Sequence, residues 1–268
     1  MSIVTVSRGS YSHGREVAEK VAQKINYECI SRDILIEASE QFNIPEIKLI
    51  RAIHDAQTVL ERFSYGKERY VAYIRAALLK HTQKDNLVYH GIAGHFFLQG
   101  IPHVLKVRII TEMENRIKEE MKRENISEHD ARYTLKKDDD ERRKWGIALY
   151  GADTWDSKLY DLVLHIDTMS VADAVDIILY SLKRPCFQST PESQRILDNL
   201  ALAAQVKAKL VNKLPTVDVA AKDGTIWVNM KVPLSQKKSL VEKVKGIAGG
   251  VSGVKDVIVD ISPIMFDD

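Results

Sequence analysis

Cysteine is scarce in this sequence, and its two cysteines share no recognisable spacing. Cys29 and Cys186 lie far apart and do not match a metal-ligand pattern, so both thiols are expected to pack as ordinary side chains in a reducing compartment. No apolar run is long enough for a membrane-spanning helix. The first residues lack a basic segment followed by an apolar stretch. We therefore expect no secretion signal and a cytoplasmic location.

An excess of charge of one sign is also missing. The 39 lysines and arginines nearly balance the 37 acidic residues, which leaves a net charge of +2. The longest charged stretch, residues 136–144, mixes both signs, so we expect no nucleic-acid surface. At 268 residues, the chain is long enough for a sizeable core and for two domains.

Residues 3–16 combine a short apolar strand, a small polar loop and the start of an amphipathic helix. Backbone N–H groups of such a loop and of the helix N-terminus bind phosphate. The spacing from Gly9 to Gly14 is that of the P-loop, G-x-x-x-x-G-K-[ST]. In this chain Arg15 stands where the lysine is expected, and Glu16 stands where the Mg²⁺-binding Ser or Thr is expected.

These two substitutions leave two interpretations of the loop open. The guanidinium of Arg15 would bind phosphate oxygens as a fork, and Glu16 would bind Mg²⁺ or favour the helix N-terminus. Alternatively, the segment is only a tight turn and a helix start. On the first interpretation, the residues predicted to bind the nucleotide are Gly9, Ser10, Ser12, His13, Gly14, Arg15 and Glu16, with Glu16 also the predicted metal ligand.

A second candidate is the charged segment 138–145, which ends at Trp145. Taken alone, this pattern is typical of a solvated helix face with internal ion pairs. The functional alternative is a lid whose arginines close over a triphosphate and exclude water. Three histidines, by contrast, fit no standard zinc spacing and are expected to be packing or surface residues: His90, His95 and His103.

Strands and helices alternate over residues 1–184, which predicts a parallel sheet with helices on both faces. Within this region, Thr111 is predicted to cap one helix and Ser127 to cap the next. The turn-rich segment 185–194 is predicted to be a linker. Residues 195–268 then predict a small α+β domain of order αββαβ, with a helix at 196–211, strands at 216–221 and 225–232, a helix at 235–248 and a strand at 254–261.

Residues 1–184 resemble the cytidylate kinase-like proteins, relatives of cytidylate kinase among the nucleoside monophosphate kinases. Three stretches carry the resemblance, namely residues 3–8 with Gly14-Arg15-Glu16, residues 88–98, and Asp139-x-x-Arg142-x-x-Trp145 followed by Trp155-Asp156 and residues 160–163. The resemblance implies a P-loop fold with a lid. It also implies phosphoryl transfer from ATP, with Mg²⁺, to a nucleoside monophosphate.

The resemblance also implies roles for individual residues. Arg15 would hold the donor phosphates, Glu16 would help to place Mg²⁺, and Arg142 would close over the transferring group. The substrate-binding residues that it implies are Arg32, Asp33, Gly91 and Asp139.

The chain departs from the family's pattern on both sides of this site. The family usually has glycines where this chain has Tyr11 and His13, and an arginine after the glycine of the turn, where this chain has Ile92 after Gly91. Bulky loop side chains restrict the backbone of a phosphate-binding loop. The second departure removes the cation that contacts the acceptor phosphate in the family.

Residues 195–268 resemble a BON domain, through Asp223–Val228 and through Gly250–Val257. The resemblance implies a binding module without chemistry of its own, and several BON domains are linked to phospholipid surfaces. A cluster of lysines would meet anionic headgroups or form an ordinary solvated helix face: Lys237, Lys238, Lys243 and Lys245.

Three classes of function follow from these patterns. The first is an ATP-dependent nucleotide kinase with a BON module for regulation or docking. The second is a nucleotide-binding regulatory protein that has lost turnover, and the third is a lipid- or membrane-docking protein. An oligomer that forms through the helical region 46–80 is left open.

Overall fold

The computed structural model describes residues 2–10, 12–31, 33–44, 66–91, 93–232 and 237–263. They form two compact units. The first combines the chain up to Asp33 with Lys84–Thr190, and the second combines Ile34–Gln83 with the chain from Pro191 onwards. The sequence predicted one domain over residues 1–184. In the structure, the segment 34–83 groups with the C-terminal part of the chain instead.

The first unit is built on a parallel sheet. Its strands are β1 (Ile3–Arg8), β2 (Glu28–Ile30), β3 (Leu87–Tyr89), β4 (Val104–Ile110) and β5 (Leu162–His165). The strand order is β2-β3-β1-β4-β5, and every pairing is parallel. The predicted parallel sheet is therefore confirmed. Because β1 lies between β3 and β4, the loop that follows β1 emerges at the centre of the sheet's carboxyl edge.

The helices of the first unit are α1 (Gly14–Ile25), the one-turn α4 (Gly94–Phe97), α5 (Met113–Glu124), α6 (Glu128–Tyr150) and α7 (Val171–Leu182). Helix α1 buries Val17, Ala18 and Val21 against the apolar side chains of the central strands. This helix therefore packs across the sheet directly after the loop. Buried apolar side chains hold its first turn in place through the hydrophobic effect.

The two predicted helix caps have different outcomes. The Ser127 hydroxyl accepts a hydrogen bond from the Asp130 N–H, so the predicted cap of α6 is confirmed. The predicted cap at Thr111 is wrong, because α5 begins at Met113 and Glu112 occupies the N-cap position. The Thr111 hydroxyl instead donates to the carbonyl of Ser12, at 3.4 Å. This threonine supports the loop after β1 rather than the helix after it.

The second unit contains α2 (Asp33–Phe42), α3 (Gly66–Thr82), α8 (Pro191–Leu210), β6 (Asp218–Lys222), β7 (Thr225–Val232), α9 (Lys237–Gly249) and β8 (Asp256–Pro263). The first residue of α2, Asp33, still belongs to the first unit, and the second unit begins at Ile34. From α8 to β8 the order is αββαβ, as predicted. Strand β7 pairs antiparallel with β6 and parallel with β8. Tyr73 on α3 donates to Asn212, at 2.9 Å, which ties the segment 34–83 to the C-terminal part of this unit.

Helix α8 begins five residues before the predicted start at residue 196, inside the predicted linker. Pro191 opens this helix, and Pro is favoured in the first turn because its missing N–H needs no partner there. The prediction that both thiols pack is wrong for Cys186, which is exposed, whereas Cys29 packs partly buried against the sheet core. Among the described helices, none combines the length and apolar character that crossing a bilayer requires.

Candidate nucleotide-binding site

The loop between β1 and α1 ends in a left-handed residue. His13 has φ 61° and ψ 3°, and its side chain does not cap the helix. The first bond of α1 joins the Val17 N–H to the His13 carbonyl, at 2.9 Å. The N–H groups of Gly14, Arg15 and Glu16 therefore have no acceptor within the helix. They lie at the positive end of a 12-residue helix, which is where an anion is stabilised.

Both glycines of the loop motif lie against arginine side chains. A Cβ on Gly14 would come within 2.6 Å of the Arg8 Cβ, which no packed structure accommodates. A Cβ on Gly9 would lie 3.3 Å from the Arg116 Cζ. Gly14 is thus required because the helix start passes directly over the end of β1, whereas Gly9 is only in tight contact with the Arg116 side chain.

Ser10 is the point at which helix α6 meets the loop. The Ser10 hydroxyl donates to Asp138 Oδ2, at 3.0 Å, and accepts a hydrogen bond from Arg142 Nη2, at 2.7 Å. A second nitrogen of Arg142 donates to the Arg8 carbonyl, at 3.4 Å. Asp138 and Arg142 are four residues apart and so share one face of the helix. The charged segment 138–145 is therefore not only a solvated face, because it directs one acid and one arginine onto the loop.

A buried arginine, Arg116, also holds this loop through hydrogen bonds. Arg116 on α5 donates from Nε to the Ser10 carbonyl, at 2.7 Å. Its two terminal nitrogens bind both oxygens of Asp139, at 2.7 and 3.0 Å. The exposed fractions of the two side chains are 8% and 11%. Asp139, which the resemblance assigned to substrate binding, is thus engaged in a buried ion pair with Arg116.

The remaining polar residue of the loop is used internally. The Ser12 hydroxyl donates to the carbonyls of Gly9 and Ile109, at 3.1 and 3.3 Å, and its side chain is buried. Ser12 therefore joins the loop to the end of β4, and only its backbone remains for a ligand. Tyr11 lies outside the described residues.

Arg15 and Glu16 both point along the surface of α1. Arg15 is 70% exposed and donates to Glu19, at 2.7 Å, and this hydrogen bond raises the pKa of the guanidinium further. Glu16 accepts from Lys20 at 2.7 Å and lies 3.3 Å from His13 Nδ1. The hydrogen bond from Lys20 lowers the pKa of the Glu16 carboxyl, so this group is ionised at neutral pH.

A cavity of about 430 Å³ opens beside the loop. This volume lies in the usual range for small-molecule sites. Four arginines, one histidine, one serine and four carboxylates surround it, namely Arg8, Arg15, Arg123, Arg142, His13, Ser10, Glu16, Glu19, Glu119 and Asp138. Five of the residues predicted to form the site therefore line one cavity, namely Ser10, His13, Arg15, Glu16 and Arg142.

The predicted acceptor residues are distributed differently. A Cβ on Gly91 would overlap the Tyr89 hydroxyl, at 2.2 Å, so this glycine is required by packing. Asp33 accepts a hydrogen bond from the Ser31 N–H, at 3.1 Å, at the start of α2. Arg32 lies outside the described residues. Gly91 and Asp33 are not among the described residues that line the cavity.

The residues of the cavity fit a polyphosphate better than a preformed metal site. Helix N–H groups that have no acceptor within the helix, and four arginines, are phosphate-binding groups. In the described part of the chain, no three His, Cys, Asp or Glu side chains are grouped as metal ligands. Mg²⁺ is commonly held by one or two carboxylates together with substrate phosphates. Glu16, an ionised carboxylate in the cavity wall, satisfies that requirement.

Sequence reasoning did not assign roles at this site to Asp138 or Glu119. The i, i+4 spacing of Asp138 and Arg142 was a usable signal, because it places both on one helix face. No local signal marks the pairing of Ser10 with Asp138, since 128 residues separate them.

Comparison with known proteins gives a family and a fold. The family model for the cytidylate kinase-like family matches residues 3–168. The crystal structure of an uncharacterized protein from Eubacterium ventriosum ATCC 27560 is similar, with a TM-score of 0.52 and 19% identity. The match covers 69% of this chain and 100% of that one. At this identity, the similarity shows a shared fold.

Two kinases are more distant in structure. Shikimate kinase from Acinetobacter baumannii, in complex with shikimate, has 12% identity and a TM-score of 0.41, over 68% of this chain and 93% of that one. Dephospho-CoA kinase from Campylobacter jejuni has 18% identity and a TM-score of 0.35, over 68% and 97%. No protein with a curated description matches the chain.

Proposed function

This chain belongs to the cytidylate kinase-like family, and from that premise we propose that it transfers a phosphoryl group from ATP to a nucleoside monophosphate or a related small acceptor. The observation that carries the proposal is the cavity beside the loop, which residues of the α1 N-terminus line together with Arg142 from helix α6. Phosphoryl transfer needs phosphates held in position and cations where negative charge spreads. The cavity wall offers both.

Each residue then has a defined task. The N–H groups at Gly14–Glu16 bind the donor phosphates, with Arg15 rotating from Glu19 towards them. Arg142 binds the oxygens of the transferring group and, with helix α6, excludes water. Glu16 would hold Mg²⁺, which when bound neutralises charge on the phosphates.

Ser10 and Arg116 support this arrangement from the protein side. Ser10 is already hydrogen-bonded to Arg142, so the arginine is held over the loop before any ligand binds. Arg116 donates a hydrogen bond to the Ser10 carbonyl, which occupies that oxygen. A carbonyl oxygen repels phosphate, and the guanidinium beside it offsets that negative partial charge.

A second function, nucleotide binding without turnover, is favoured by one observation. Arg15 is paired with Glu19 and largely exposed, in place of the usual P-loop lysine. On this alternative, the chain is a regulatory protein that binds a nucleotide and does not turn it over.

For residues 195–268 we propose a BON-like docking or sensing role, with an anionic lipid or small ligand as the partner. The element order αββαβ of this segment supports that proposal.

The test is ADP formation by the full chain with ATP and Mg²⁺. The panel of acceptors contains the common nucleoside monophosphates, the corresponding nucleosides and small phosphorylatable alcohols. We expect ADP release that depends on one class of acceptor and that falls at least 100-fold in Arg142→Ala. Lys144→Ala is the control, since Lys144 is exposed on the same helix. Nucleotide binding without acceptor-dependent ADP across the panel favours the regulatory alternative.

A further inference from the structure

Arg8 is the last residue of β1, and it lines the cavity beside the loop. Side chains alternate between the two faces of a strand. Val4 and Val6 of the same strand belong to the core that contains Val17 of α1. Because Arg8 follows Val6 by two residues, its side chain extends on the face of the sheet that α1 covers. Sequence reasoning gave this arginine no role.

The aliphatic stem of Arg8 lies along the first residue of α1. A Cβ on Gly14 would meet the Arg8 Cβ at 2.6 Å, its Cδ at 2.7 Å and its Cγ at 3.2 Å. All three stem carbons therefore pass directly beside the backbone of Gly14. The guanidinium begins one bond beyond Cδ, so its charge lies close to the N-terminus of α1.

The backbone of Arg8 is fixed by its neighbours. In the parallel pairing of β1 with β4, Arg8 lies opposite Ile109. The Arg8 carbonyl also accepts a hydrogen bond from Arg142, at 3.4 Å. The side chain thus starts from a rigid position in the central strand. A group on such a support loses less conformational freedom when it binds a ligand.

The position of this charge is suited to an anion. The N-terminus of a helix carries positive partial charge, and cations are stabilised at the opposite end. Arg8 and Arg142 nevertheless line the cavity at which α1 begins. An anion that contacts both the helix N–H groups and the two guanidinium groups offsets this repulsion. The arrangement therefore favours a ligand with several negative oxygens.

Arg15 is placed less favourably for the same task. It occupies the position of the P-loop lysine, but it is 70% exposed and donates to Glu19, at 2.7 Å. Its guanidinium has to leave Glu19 before it binds a phosphate. Arg8 approaches the helix N-terminus from the strand instead, and its stem already lies beside Gly14.

We propose that Arg8 is the main phosphate-binding cation of this cavity and that its guanidinium binds oxygens of the donor's phosphate chain. This inference rests on the proposed phosphoryl transfer, to which it adds a residue that precedes the loop motif. Arg15 is then a secondary contact. A guanidinium is charged at every working pH and binds two phosphate oxygens as a fork. Arg8 therefore holds the donor and exchanges no proton with it.

The test is calorimetric titration of the full chain with ATP and, separately, with inorganic tripolyphosphate at constant ionic strength. Arg8→Met keeps an unbranched stem beside Gly14 and removes the charge. We expect the Kd for both ligands to rise about 30-fold, the loss of a charge-assisted hydrogen bond. Arg8→Lys keeps a positive charge without the fork, so the rise should stay below about tenfold.

Arg195→Met is the matched control, because Arg195 is an exposed arginine on α8 that pairs with Glu192 of its own helix. Its Kd for ATP should stay within twofold of the wild type, and Arg15→Met should lose less affinity than Arg8→Met. An unchanged Kd in Arg8→Met, or a larger loss in Arg15→Met, overturns the assignment and leaves phosphoryl transfer intact. A wild-type chain that does not bind ATP overturns the proposed function itself.

Two further outcomes separate phosphate binding from other roles of Arg8. A loss of affinity for ATP without a loss for tripolyphosphate, or a wild-type chain that does not bind tripolyphosphate, contradicts a contact with the phosphate chain. An Arg8→Lys variant that binds ATP no better than Arg8→Met shows that Arg8 contributes packing rather than charge, which also contradicts the inference. Thermal unfolding without ligand checks that each variant folds. If Arg8→Met does not fold, Arg8→Gln replaces it as the neutral variant.

Discussion

The guanidinium of Arg116 holds both oxygens of Asp139, at 2.7 and 3.0 Å, inside the protein. Through its remaining nitrogen, the same arginine holds the carbonyl of Ser10. One buried ion pair thus links the loop after β1 to helices α5 and α6. The position of the loop and that of helix α6 therefore depend on each other.

Removal of one member of this pair should be costly. Asp139→Ala leaves the Arg116 charge buried without its partner, and we expect the free energy of unfolding to fall by about 3 kcal/mol. Asp140→Ala, at an exposed position on the same helix, should change it by less than about 0.5 kcal/mol. Urea denaturation of the full chain measures both. Equal effects of the two substitutions would show that the ion pair contributes no more to the free energy of unfolding than an exposed carboxylate does.

Asp138 places a negative charge in a cavity proposed to take phosphates. It accepts a hydrogen bond from Ser10 at the point where Arg142 also binds. Asp138→Asn keeps the shape and removes the charge, so we expect ATP to bind about tenfold more tightly. Calorimetry at constant ionic strength measures the change, with Asp140→Asn as control. Weaker binding in Asp138→Asn would mean that the carboxylate supports the nucleotide site.

Close packing requires a glycine at position 14, at the start of α1, but not at position 246 on α9. Gly14→Ala would place a Cβ 2.6 Å from the Arg8 Cβ, so we expect a loss of about 1–3 kcal/mol in stability and weaker ATP binding. Gly246→Ala on α9 meets open space and should stabilise the helix by about 0.5–1 kcal/mol. Thermal unfolding of both variants gives the comparison. A Gly14→Ala variant as stable as the wild type would contradict the packing argument.

His95 should make stability depend on pH. Burial lowers the pKa of His95 to about 3, while an unfolded histidine titrates near 6.5. The unfolded chain therefore binds a proton below pH 6.5 that the folded chain does not, and stability falls as pH drops from 6.5 towards 3. Between pH 7.5 and 5, the loss should be about 2 kcal/mol smaller in His95→Gln than in the wild type. His129→Gln should retain the full dependence.

The first unit was largely predictable because its signals are local. The alternation of apolar strands and amphipathic helices and the Ser127 cap each depend on a few neighbouring residues. Thr111 shows the limit of such reasoning. Its hydroxyl satisfies the Ser12 carbonyl rather than a helix N–H, and that partner is 99 residues away.

The site was predictable in part for the same reason. The loop residues follow from motif spacing, but the buried pair of Arg116 with Asp139 depends on how α5 packs against α6. The grouping of residues 34–83 with the C-terminal part depends on contacts such as Tyr73 with Asn212. His90 was expected to be a packing or surface histidine, and the structure places it in the interior, at 9% exposed.

The decisive experiment is calorimetric titration of the full chain with ATP and Mg²⁺. We expect saturable binding to one site, weakened at least tenfold by Arg142→Ala and unchanged by Lys144→Ala. It would be contradicted by an absence of binding, or by binding that Arg142→Ala leaves unchanged, because the cavity beside the loop would then not be the nucleotide site.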